Sequence, residues 1–534
     1  MKKTTKLAVA VAAASFGSAA FAVCPAPSVA ASAAENSVAL ANGLTEACAL
    51  GVPGGALSAD GLQALIGDEI TSNFTMDNTR LWVLRGKVAF GAQVSSPVDA
   101  SGNFTITEVA GPTLTIEPGT IIVGNATDDD TDNTVVDDSG NVGAANADRL
   151  IINRGADIVA DGSRDAPIRM TGLQNLDTGS TAAGQWGGLY INGYGLNNRC
   201  DNVSFGAASD FPNEASVPGG TVTNCERPGE ANTGVYGGNS NDDDSGILDY
   251  VTVAYAGATF NAETDLNGIA FQSVGSGTQV SNIQVHANVD DGVEFYGGAV
   301  DATNVVLTDN QDDSFDTTEG WLGNIQYMVV VQSGASNDSV FESDTGGNES
   351  FPSTDGDVAN LTVIKTNADT SRGFRLRDET SLDIFNATIV FPQGECIDSG
   401  LSAASPLYLN TSVVDGIFAD CSTGFTVDAP AVAGPAIASG SSTLDGVVNG
   451  ANENGATPTA SLPAAFVATS FVGAVESCAA NWTAGWVIPG TLPANSLGDA
   501  CAPAEEAVPV MGWAGLAALF AGIAGIASRV RRVK

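Results

Sequence analysis

Residues 280–298 read VSNIQVHANVDDGVEFYGG, and residues 302–320 read ATNVVLTDNQDDSFDTTEG. The two stretches are copies of each other at an offset of 22 residues. Asn282 aligns with Asn304, Asn288 with Asn310, Asp290-Asp291 with Asp312-Asp313, Glu294 with Asp316, and Gly298 with Gly320. A period of roughly 20–25 residues, made of short β-type runs and polar turns, marks a solenoid. The expected fold is all-β, a right-handed parallel β-helix. Equivalent residues of neighbouring turns then lie about 4.8 Å apart. The Asp pairs would stack on each other, and bare carboxylates do not stack at that distance without cost. The repeat thus predicts a fold and a charge problem together.

Outward from this repeat, Gly-broken strand runs continue in both directions. Upstream they include Leu81–Leu84, Thr113–Val123, Leu150–Ala160, Pro167–Thr171 and Trp186–Ile191. Asn or Asp recurs just before strand triplets, as Asp249, Asn282, Asn304, Asn324, Asn360 and Asn386. Such a column reads as an amide ladder between turns, or as ordinary turn residues in the left-handed region. These signals place the β-helix at residues 80–424, with a polar loop insertion at 195–246. Residues 23–79 read as a leader or cap, with a helical patch at Ala59–Ile70 from the spacing of Leu62, Leu65 and Ile66. Residues 425–507 read as a linker followed by a closing element, in which Trp482–Trp486 would cap the last turn.

The formal net charge is −41, from 20 Lys+Arg against 61 Asp+Glu. Such a chain repels nucleic acid and anionic membrane and suits cation-rich surroundings. Disorder is the competing reading of high charge, but 43% hydrophobic content and regular β-branched runs oppose it. Residues 1–22 form a secretory signal: Lys2, Lys3 and Lys6, an apolar run, then Ala20-Phe21-Ala22. The eight cysteines fall as neighbouring pairs, Cys24/Cys48, Cys200/Cys225, Cys396/Cys421 and Cys478/Cys501, with separations of 24, 25, 25 and 23 residues. Sequential local bridges are the simplest of the 105 pairings that eight cysteines allow, and an exported context agrees with them.

At the other end, residues 508–534 hold Val508-Pro509-Val510, an apolar run long enough to span a bilayer, and Arg529, Arg531, Arg532 and Lys534. This three-part tail resembles the sorting signals handled by exosortase-type and rhomboid-type transpeptidases of Gram-negative bacteria. The resemblance implies a hydrophobic C-terminal helix, a sorting transpeptidase or protease as partner, and inner-membrane anchoring at least in passing. A permanent single-span anchor is the alternative. Either way the body lies outside the inner membrane, at the cell surface or beyond.

The body resembles secreted, largely uncharacterised bacterial β-helix proteins. The resemblance rests on Leu114–Thr120 (LTIEPGT), Trp186–Leu189 (WGGL), Asp290–Gly298, Asp312–Asp316 and Trp482–Trp486 (WTAGW). It implies an exported, surface-displayed parallel β-helix and no particular activity.

The chemistry concentrates in the acidic repeat. Asp290, Asp291, Glu294, Asp312, Asp313 and Asp316 are the expected metal ligands, with Glu319 on the same turns and Asp338, Glu342 and Asp344 as a third set. Hard oxygen donors at several positions suit Ca²⁺; a solvated, screened acidic face is the alternative. Two further acidic runs, Asp128–Asp138 and Asp242–Asp244, read as solvated loops. No catalytic residue stands out. One functional reading is a non-catalytic envelope or biofilm-matrix module, steadied by Ca²⁺ and disulfides, whose partners are extracellular polysaccharide or other surface proteins. The other is a polysaccharide-active enzyme, of pectate-lyase or glycoside-hydrolase type, suggested by fold analogy. Gln311-Asp312-Asp313 resembles the paired carboxylates of polygalacturonases, but that family's other motifs are absent. Arg372, Arg375 and Arg377 could supply a lyase base or could offset the acids around them. The single histidine, His286, reads as structural.

Overall fold

The computed structural model describes residues 24–51, 69–94, 108–126, 147–199, 226–259, 265–334, 337–346, 352–366, 372–378, 380–399, 413–427, 447–450, 453–459 and 462–493. The signal segment, most of the Ala59–Ile70 patch, Asp128–Asp138, Cys200, Cys225, Cys501 and the C-terminal tail lie outside them. Among the described residues, no helix is long and apolar enough to cross a membrane.

Apart from one antiparallel contact at the N-terminal end and a short hairpin, the strands pair in parallel, coil on coil. Three ladders result. The first contains Lys87–Phe90, Arg149–Ile152, Gly188–Asn192, Ile269–Gln272, Val293–Tyr296, Phe315–Thr318, Phe341–Ser343 and Arg372–Leu376. The second contains Phe74–Met76, Thr113–Ile116 and Asp157–Asp161. The third contains Glu46–Leu50, Arg80–Leu84, Ile121–Gly124 and Ile168–Gly172. From Gly246 onward the second and third ladders run on as single bent strands: Gly246–Ala254, Gln279–His286, Ala302–Thr308, Asn324–Gln332 and Asp357–Lys365. Val280 pairs with Ala302 and Val293 with Phe315, so the 22-residue repeat is one coil.

At the bend of those strands the chain takes a left-handed residue in every coil. Asn282, Asn304, Asn360 and Asn386 stand there with φ between 49° and 59°. Asn304 Nδ2 donates to Asn282 Oδ1 (3.0 Å), and Asn282 Nδ2 donates to Asp249 Oδ1 (2.7 Å). The amide ladder and the left-handed turn are therefore the same feature, since Asn tolerates that region better than other side chains. Two members differ from expectation. Tyr250 and Tyr327 occupy the bend (φ 50° and 65°), while Asp249 and Asn324 fall one and three residues before it.

Inside the coil, Phe271, Phe295, Phe315, Phe341 and Phe374 stack with ring centroids 5.0, 5.4, 4.7 and 4.5 Å apart in succession. Each such contact contributes about 0.5–1.5 kcal/mol beyond simple burial. Parallel pairing begins at Glu46, upstream of the Leu81 run. Val29–Ala30 pairs antiparallel with Cys48 and Ala49, covering the first strand edge. The helix at this end is Ala33–Ala41, started by a capping box between Ser32 and Glu35; Ile70, at the edge of the expected patch, is in a strand.

Two of the expected disulfides are present, Cys24–Cys48 and Cys396–Cys421, with Cα atoms 5.8 and 5.6 Å apart. Cys478 is also bridged.

The C-terminal segment lies elsewhere than expected. Trp482 and Trp486 do not cap the last coil; the Trp486 ring meets Tyr250 edge-on at 5.7 Å. Residues 447–450, 453–459 and 462–493 form a strap along the outward side of the third ladder, where Val306 and Val329 join Val448, Val475 and Trp486 in an apolar cluster. Gln284 fastens its far end, accepting from Ile488 N (2.7 Å) and donating to Thr491 Oγ1 (2.9 Å). Runs such as Val305–Leu307 are apolar throughout because both faces of that strand are covered.

Candidate functional site

Strand alternation turns every second residue of the first ladder outward. One outward column reads Tyr190, Ala270, Glu294, Asp316, Glu342, Arg375, Asp398 from coil to coil. The turn before each strand adds Asp290-Asp291, then Asp312-Asp313, then Asp338. Three overlapping triads result: Asp290/Asp291/Asp312, Asp291/Glu294/Asp316 and Asp312/Asp313/Asp338, each with ligand atoms within 4.8 Å of one another. All six expected ligands thus come together, and Asp338 joins them.

The backbone holds this geometry. Asp291 Oδ1 accepts from Asp313 N (3.0 Å), and Asp313 Oδ1 accepts from Ser339 N (2.6 Å), so each aspartate ties its turn to the next. Gly292 allows the close approach of Asn310 and the Ser314 carbonyl, which a Cβ would meet at 2.3 and 2.5 Å.

Burial, then neighbouring charge, pushes Asp290 and Asp313 up to about 7 and lifts Asp291, Glu294 and Asp316 well above the usual carboxylate range. Asp316 Oδ1 is buried and accepts no hydrogen bond. Oxygen donors crowded at this spacing are residues that could hold a hard cation such as Ca²⁺.

The third set of acids divides. Glu342 accepts from Arg375 (2.9 Å) and pairs with Arg377, so its charge is met. Asp344 accepts from Gly346 N (2.7 Å) and from Thr318 Oγ1 (2.5 Å). Glu319 lies off the column, accepting from Tyr236 OH (2.9 Å) and pairing with Arg199 (3.3 Å). Arg372 pairs with Asp398. The three arginines are therefore engaged by acids. His286 Nδ1 meets Thr308 Oγ1 at 2.8 Å with Tyr255 edge-on at 5.2 Å, and burial lowers its pKa. Asp243 departs from the solvated reading of its run: burial raises it to about 6, and it accepts from Ser245.

Sequence reasoning missed the residues beside the upper end of the column. The insertion returns over the sheet, where Ala231 and Tyr236 pack with Tyr190, Leu266, Ala270 and Tyr296. It brings Glu230, whose carboxylate accepts from Tyr296 OH (3.2 Å). Asn267 was also missed. Ile269 pairs with Val293, so Asn267-Gly268 stands one coil above Asp291-Gly292 as a degenerate copy of the repeat. That match was available in the sequence.

The family model for the pectate-lyase-like β-helix domain matches residues 98–487. That is well over half of the 534-residue chain, and the protein belongs to this family. No curated protein and no solved structure matches it.

Proposed function

We propose that this protein is an exported, non-catalytic β-helix module that binds Ca²⁺ on its acidic column and serves as a binding or structural element of the cell surface or matrix. The observation that carries the reading is the set of three interlocked carboxylate triads. The disulfides fit an oxidising compartment. Its partners are then extracellular polysaccharide or other surface proteins. Asp290, Asp291, Glu294, Asp312, Asp313 and Asp316 would hold the metal.

The family's name favours a second reading, action on a polysaccharide. Two features weigh against it. Arg372, Arg375 and Arg377 hold acids and are poorly placed to accept a proton. Asp313 is turned to the backbone, its Oδ1 accepting from Ser339 N (2.6 Å), and is engaged in holding the turn.

The test is thermal melting of the purified body. Millimolar Ca²⁺ should raise the midpoint and a chelator lower it, by mass action on the folded state. Mg²⁺ should substitute poorly because it prefers a compact octahedron and keeps its water. Asp291→Asn with Asp313→Asn should remove most of the response while preserving the acceptors for Asp313 N and Ser339 N. Melting indifferent to Ca²⁺ at low ionic strength would overturn the proposal. A polymer screen with and without Ca²⁺ separates the two readings, since only the second predicts new chain ends.

A further inference from the structure

Asn267 is 2% exposed, and its amide lies inside the acidic site: Nδ2 donates to Glu294 Oε2 (2.5 Å) and to Tyr296 OH (3.3 Å). Its oxygen, Oδ1, is buried and accepts from nothing, and the same holds for Asp265 Oδ1 nearby in the chain. Glu230 of the insertion accepts from the same Tyr296 hydroxyl (3.2 Å) and is the charge that acts most strongly on Glu294 and one of those acting on Asp290; Asp265 also acts on Asp290. Carboxylates and an amide whose oxygen is left unsatisfied thus share one buried seam. Among the described residues, none of these carboxylates has a cationic partner in an ion pair, although buried charges ordinarily have one.

We infer a second cation site at this seam, formed by Glu230, Glu294 and Asn267 Oδ1 with charge added by Asp265 and Asp290, and suited to a hard divalent ion such as Ca²⁺. Glu294 is the hinge between the two sites: one coil below it lies the triad with Asp291 and Asp316, and beside it lies the insertion. The ion adds a tie between two parts of the chain already joined by the buried Arg154–Glu226 ion pair and by Arg154 donating to the Gly237 carbonyl (2.6 Å). Closer to the seam, the contacts are Arg149 donating to the Ala231 carbonyl (3.1 Å), Asn192 donating to the Thr233 carbonyl (2.8 Å), Tyr296 OH donating to Glu230 (3.2 Å) and the Tyr236–Tyr296 ring pair. Occupancy therefore fastens residues 226–238 onto the first ladder, which a metal confined to the repeat would not do.

The seam shares Glu294 and Asp290 with the column, so the inference rests in part on the metal reading proposed above. Ca²⁺ titration calorimetry on the full chain, with hydrogen exchange of residues 226–238 read in parallel, tells them apart. Glu230→Gln and, separately, Asn267→Leu should each lower the stoichiometry by one ion and abolish the Ca²⁺-dependent protection of 226–238. The Ca²⁺ shift that depends on Asp291 and Asp313 should survive in both. Glu230→Gln keeps size and shape, so loss of folding is not expected to obscure the result. If both variants bind as many ions as the parent and protect 226–238 equally, a buried water explains Asn267, and the seam site is wrong while the column site stands. If no variant or parent binds Ca²⁺, both fall.

Discussion

Asn304 meets two demands with one side chain. Its φ of 59° is a conformation that costs other L-residues about 1–2 kcal/mol, and its amide bridges to Asn282. Asn304→Ala should lose both, a destabilisation of about 1–3 kcal/mol in urea unfolding. Asn304→Gly should recover the backbone share and lose the amide share. Equal losses in the two variants would mean that the bend carries no strain. This column shows what a sequence makes legible at the level of single residues. Asn282 and Asn304 could be placed because their coils are the same length. Tyr250 and Tyr327 could not, because a bulky residue in the left-handed region leaves no trace in composition. The clustering of the six acids of the repeat was readable for the same reason of equal spacing. Glu230 was not, because it reaches the site from an insertion whose path no periodicity describes.

Strands and their connections were legible to different degrees. The first ladder could be read near the repeat because alternation puts phenylalanines inside and acids outside. The phenylalanine stack is the energetic counterpart of that alternation. Phe315 is fully buried between Phe295 and Phe341, so Phe315→Ala should cost about 3–5 kcal/mol by the lost transfer energy and the cavity left behind. Chemical denaturation measures it; a loss under about 1 kcal/mol would show that neighbouring rings close the gap. The strap was harder to read. Its contacts are made one at a time: Asn360 Nδ2 to the carbonyls of Phe471 and Gly473, Gln326 to Val467, and Trp486 against Tyr250. Such contacts follow no period, so the segment passed for a linker. Trp486→Ala should raise hydrogen exchange across residues 474–491 while leaving the Val293–Tyr296 strand protected.

Across the molecule, the acidic charge makes stability a function of pH. Besides Asp290 and Asp313, burial raises Asp383 to about 7 and Asp357 and Asp243 to about 6. Each binds its proton more tightly when folded. Its contribution is complete below the unfolded value near 3.8 and is lost as pH rises through the folded value. In chelator, the melting temperature should therefore fall between about pH 4 and pH 7. Asp383→Asn, remote in sequence from the acidic repeat, should flatten part of that slope. A melting temperature that instead climbs through this interval would contradict the burial of these groups.

The strap also governs how the protein responds to a pull. The chain runs back from the coil of Asn386 to that of Gln284, so the described segment ends on the flank of the solenoid. With the bridge at Cys478 reduced, tension applied beyond residue 493 would meet Thr491 and Ile488 first, then Trp486, then the contacts around Asn360. These would part in turn, as in a peeled tape, instead of resisting together as the stacked coils would. In an optical trap, a handle at that end should release the strap at low force and in small steps, well before any coil yields. A body held at a surface by this end would then have a built-in shock absorber.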